Sequence, residues 1–112
     1  MSESTHRTEI GRYDQLPNVR IDEALVPAPL RELLPFARAW GICGEDALER
    51  AIRRASREQM LQVVHAALPV KAALHDFAYE SAGASATPVP DEVVLFQMFA
   101  WSLQHLEVEV RR

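Results

Sequence analysis

The chain has 112 residues, of which 48% are hydrophobic and 25% charged, with a formal net charge of −4. That is one domain's worth of globular composition, unlike a disordered chain, and its acidic balance provides no global positive field to draw in a polyanion. With Cys43 as the single cysteine, an intrachain disulfide and a cysteine-built zinc site are both excluded.

Residues 1–9 are polar and show no secretory pattern, and no run of apolar residues reaches membrane-spanning length. The expected location is therefore the cytoplasm, with no membrane contact. Eleven of the twelve basic residues are arginine, Lys71 being the exception, a bias that points to a GC-rich bacterial genome. From residue 10 to 26 the apolar positions Leu16, Val19, Ile21 and Leu25 keep no helical period. Residues 1–26 are thus expected to form a tail and an extended arm laid over one helical domain, 27–112.

Pro29 suits the first turn of a helix, and Leu30, Leu33, Leu34 and Ala37 follow at helical spacing. Pro35 removes a donor and crowds the preceding turn, so a kink is expected there, with Leu34 pushed out of the α region. The second piece should end at Trp40, with Gly41 as a left-handed cap. Residues 21–42, through Leu30, Leu33, Leu34, Pro35, Ala37, Trp40, Gly41 and Ile42, resemble a run found in small uncharacterised bacterial proteins, most closely over LRELLPFARAWGI (30–42). That resemblance implies an all-helical bacterial protein and brings no activity or functional residue with it.

A helix is predicted over 45–55, with Leu48, Ala51, Ile52 and Ala55 as its buried stripe. Ser56 and Gln59 then read as a capping box that opens a helix running to Leu68. Pro69 should end that helix and begin another, with Val70, Ala73, Leu74 and Phe77 inward. Small residues, a glycine and two prolines make 81–90 the clearest loop. The last helix, 91–108, opens with Asp91 and Glu92 against its positive end. From 93 to 106 it carries no charge and is apolar on nearly every side, which marks a central helix. The fold expected is all-α, a compact bundle of four to five helices with an extended N-terminal arm.

Few residues point to chemistry. Arg50, Arg53, Arg54 and Arg57, at i, i+3, i+4 and i+7, form a candidate basic face for phosphate or nucleic acid. Asp46 and Glu49 lie four residues before Arg50 and Arg53, and such helical pairs account for the arginines as a solvated surface. A DNA-recognition helix after Ser56 would need more basic groups than Arg57. No Glu precedes His65, His75 or His105 by three residues, so the di-iron pattern is missing, and His105 with Glu109 supplies two ligands, too few for a site. Cys43 lacks a histidine near it in sequence to serve as a base.

With no catalytic or metal residue nominated and no cofactor expected, the leading expectation is a non-catalytic protein-binding module, of regulatory-adaptor or toxin-neutralising type. The uncharged helix has more apolar surface than short neighbours cover, so a homodimer is expected, with Phe96, Phe99, Leu103 and Leu106 as candidate partner-binding residues. The alternatives are a ligand-binding protein or enzyme with a pocket near Trp40, His65, His75 and Tyr79, and a weak nucleic-acid binder through the basic face.

Overall fold

The computed structural model describes residues 20–80 and 90–112, and among these the regular structure is helical throughout. A 3-10 turn at Glu23–Leu25 is capped by Asp22, whose side chain accepts from the Ala24 amide. A second 3-10 stretch, Ala28–Leu33, leads directly into α1, Leu34–Trp40. Then come α2, Glu45–Arg54, and α3, Arg57–Ala67. A 3-10 turn at Leu68–Val70, α4 at Lys71–His75 and a π-helical turn at Asp76–Glu80 form one continuous helical run. The final helix, α5, spans Asp91–Arg111. The all-α bundle expected from periodicity is the fold observed.

α5 is the hub. Its 21 residues make a rod of roughly 30 Å at 1.5 Å per residue, and α1, α3, α4 and the π turn all pack on it. The absence of charge between 93 and 106 has this cause: neighbours surround most of the circumference, and Phe96, Phe99, Leu103 and Leu106 are enclosed in the core. Phe96 meets Phe77 and Phe99 edge-on, at ring separations of 5.6 and 6.2 Å, the geometry favoured by the ring quadrupoles.

One proline expectation is corrected. Leu34 is α-helical, at φ −52° and ψ −44°, and not extended. Pro35 stands in the first turn of α1, where its missing amide leaves no vacancy, and the change from 3-10 to α winding absorbs the step. Burial of Leu33 and Leu34 offsets the crowding before the ring. Around Pro69 the expected change of helix is present: α3 ends at Ala67, a 3-10 turn covers Leu68–Val70, and α4 begins at Lys71 after Val70 at φ −117° and ψ 17°. The π turn inserts one residue per turn, so that neighbours Phe77 and Ala78 are both buried.

Gly41 is no left-handed cap. Its φ of −76° and ψ of 72° make an inverse γ-turn, closed by the Ile42 amide donating to the Trp40 carbonyl at 2.9 Å. Glycine is required by proximity instead: a Cβ at Gly41 would lie 2.6 Å from both the Ala37 carbonyl oxygen and Leu95 Cδ1. Positive φ falls to Gly44, at 105°, just ahead of α2.

The expected boundary between arm and domain at residue 26 does not divide the packing. Ile21 and Val26 belong to the core, whereas Leu25 is exposed. Arg31 Nε donates to the carbonyls of Glu23 and Val26 at 3.1 and 3.0 Å, holding the turn in place. The Asp22 amide donates to Glu92 Oε2 at 2.9 Å. Leu16 and Val19, and most of the expected loop at 81–90, lie outside the described residues.

Candidate functional site

Residues that proved buried cannot meet a partner while the fold is closed. The candidate partner-binding set, Phe96, Phe99, Leu103 and Leu106, faces inward. What α5 leaves open is the opposite strip: Met98, Trp101 and His105 half-buried, Gln104 and Val108 exposed. The reason is geometric. Positions 101, 104 and 108 recur at the helical period, and each keeps part or most of its surface open. Val108 keeps 52% of its surface open, and the Trp101 and His105 rings meet edge-on at 4.8 Å.

Beside this strip the γ-turn sets residues 42–44 against α5. Ile42, Cys43 and Gly44 face Gln97, Met98 and Trp101 across an open notch of about 230 Å³. Its walls are almost wholly apolar, and Cys43 is exposed at its edge. Gln97 is anchored on its other side, donating through Nε2 to the Ala78 carbonyl at 2.8 Å. Further along α5 the strip borders a broader and more polar depression of about 480 Å³, where Glu45, Glu49 and Arg53 of α2 face His105 and Glu109.

A separate concavity, of about 430 Å³, lies between α1 and the α2–α3 corner. Phe36, Trp40, Ala51 and Val63 line its apolar part, and Arg54, Gln59 and Gln62 its polar edge. The side chains of Ala39, Ala51 and Ala55, all at its wall, are too short to close the gap between helices. The polar edge follows from local sequence. Ser56 caps α3 by accepting from the Gln59 amide at 3.1 Å, while Gln59 Oε1 accepts from the Ser56 amide at 2.9 Å. The expected capping box is thus present, and it fixes Gln59 beside the end of α2.

The pocket expected near Trp40 therefore exists in part, with different walls. His65, His75 and Tyr79 do not line it. His65 is exposed, and His75 stacks on Tyr79 at 5.6 Å. Lys71 on the same face pairs with Glu107 at 2.7 Å, tying α4 to α5. Spacing at i, i+4 and i+8 places these groups along one ridge of α4 and its extension, away from Trp40.

The basic face also divides. α2 ends at Arg54, and Ala55 and Ser56 are extended, so Arg57 opens a different helix. Periodicity counted across that corner does not define one face. All four arginines are exposed. Glu49 pairs with Arg53 as the spacing predicts, whereas no ion pair joins Asp46 to Arg50 among the described residues. Arg53 borders the depression beside α5, and Arg54 the groove beside Trp40. Among the described residues no three His, Cys, Asp or Glu side chains are grouped to hold a metal ion, and no helix is long and apolar enough to cross a membrane.

Glu92 is a buried acid that sequence reading placed only by its helix-end position. It is 6% exposed and spans from α5 to the amide of Asp22, 70 residues earlier. No local pattern announces such a contact. No family model, curated protein or solved structure matches the chain.

Proposed function

We propose that this protein is a non-catalytic protein-binding module of the regulatory-adaptor or toxin-neutralising kind, acting in a bacterial cytoplasm as a homodimer. The observation that carries the reading is the open strip of α5. Met98, Trp101 and Val108 stay partly or largely exposed on a helix with no charge from 93 to 106, beside an unfilled apolar notch. Water is a poor neighbour for such a surface, and a rigid aromatic beside a notch is the usual anchor of a protein interface.

A second copy fits the middle of the helix: Trp101 lies midway along α5, and two copies crossing antiparallel about a two-fold axis there set the open strip of each against that of the other. Adaptor or neutralising activity is then the class that suits a small acidic binding module, by analogy of class alone.

Sedimentation equilibrium on the full chain at micromolar concentration tests this directly. A mass of twice 12.6 kDa is expected for the wild type, and Trp101→Lys should return the chain to monomer with its helical circular dichroism intact. A wild type that remains monomeric throughout the concentration range sinks the homodimer.

Ligand binding is a second reading, favoured by the groove beside Trp40 and not by the α5 strip. Nucleic-acid binding is disfavoured by the division of the four arginines between two helices.

A further inference from the structure

We propose that the groove between α1 and the α2–α3 corner binds a small apolar monocarboxylate, with the apolar body against Phe36, Ala51 and Ala55 and the carboxylate at Arg54. This goes beyond the dimer reading and uses a separate surface, since no α5 residue lines this groove.

Shape is the first argument. At about 430 Å³ the groove has the size of an ordinary small-ligand site, about 300–1,000 Å³. Its apolar wall is open at Phe36, Ala39, Ala51 and Ala55, Trp40 and Val63 being themselves buried, so an alkyl or aryl group has surface to cover without displacing a packed side chain.

Charge is the second. Arg54 is the one ionised side chain at the lining, and no carboxylate lines the groove with it. Gln59 Oε1 accepts from the Ser56 amide, and its NH₂ group remains available as a donor. Gln62 adds a second amide to the lining. One cation and two amides line a trough that is otherwise apolar, and the complement is one anionic head on an apolar body. A guanidinium suits a planar carboxylate in particular, through two parallel N–H···O bonds. Inorganic phosphate would leave the apolar wall uncovered, and a polyanion would find a single cation.

Nitrogen-15 NMR of the full chain, titrated with sodium octanoate and separately with octanol, tests the assignment. The indole N–H signals of Trp40 and Trp101 serve as internal reporters of the two surfaces. Octanoate should shift the Trp40 indole and the amides of Ala51 and Gln62 saturably, leaving Trp101 in place. Octanol, without the charge, should bind about tenfold more weakly. Arg54→Gln, a change at an exposed position, should weaken octanoate about tenfold and leave octanol unaltered. Ala51→Leu, which fills the wall, should abolish both, with thermal unfolding recorded to confirm that the variant folds. Equal affinity for octanoate and octanol, an unchanged Arg54→Gln, shifts centred on Trp101, or no saturation would each overturn the proposal. None of these outcomes depends on the mass measured by sedimentation, so the two proposals fail separately.

Discussion

The hydroxyl of Ser102 is sealed within the packing around α5, at 0% exposure, and finds no hydrogen-bond partner among the described residues. A buried, unsatisfied polar group costs about 1–3 kcal/mol of desolvation that nothing returns. Ser102→Ala removes the oxygen and leaves the volume nearly unchanged, so urea unfolding should show a stabilisation of about 1 kcal/mol. A lower midpoint would mean that the hydroxyl has a partner after all. Gly41 responds to the opposite constraint. A single methyl added there meets backbone on one side and Leu95 on the other, both at 2.6 Å. Gly41→Ala should therefore cost about 1–3 kcal/mol by overpacking, and a variant as stable as the wild type would show that α1 can move off α5 freely.

α2 and α5 differ in how they are held. On α2 only Leu48 is buried, with Ala51, Ile52 and Ala55 packed partly against the core. α5 buries side chains on most of its turns. Local opening follows such differences in burial. In native-state hydrogen exchange the α2 amides should exchange well before those at the centre of α5, and equal protection would refute the light attachment inferred for α2. The corner between α2 and α3 depends on the reciprocal Ser56–Gln59 cap. Ser56→Ala should cost about 1 kcal/mol, read as a lower denaturation midpoint, with helix content retained.

The molecule has one core, formed around α5 and reached from every other helix, with Phe96 fully enclosed at its centre. Truncation there leaves a cavity that surrounding helices cannot all close together. Phe96→Ala should cost about 3–5 kcal/mol, and wild-type unfolding should be a single transition, with circular dichroism and tryptophan fluorescence coincident. Two separated transitions would show that α2 or the segment at 20–26 unfolds apart from the rest. The two open surfaces are products of the same assembly. The α5 strip is what remains after α1, α3 and α4 have covered the other sides, and the Trp40 groove is what short alanines leave unfilled where helices meet.

Local signals were legible because their physics is local. Apolar spacing at the helical period, the S-x-x-Q cap and the uncharged run of the last helix each depend on residues within a few positions, and each led to the element observed. Proline chemistry was legible only in part. Leu34 stays helical because burial of Leu33 and Leu34 and the change from 3-10 to α winding outweigh the local preference against helix before a proline. The facing of α5 was not readable at all. A helix uncharged around its whole circumference bears no mark of inside and outside, so Phe96, Phe99, Leu103 and Leu106 looked as available as Trp101 and Val108. Only the arrangement of the other helices separates them. The same holds for the contact of Glu92 with Asp22, the parting of Trp40 from His75, and the groove shared by Ala39, Ala51 and Arg54. Such sites are made from residues far apart in the chain, and their juxtaposition is set by how the whole core closes.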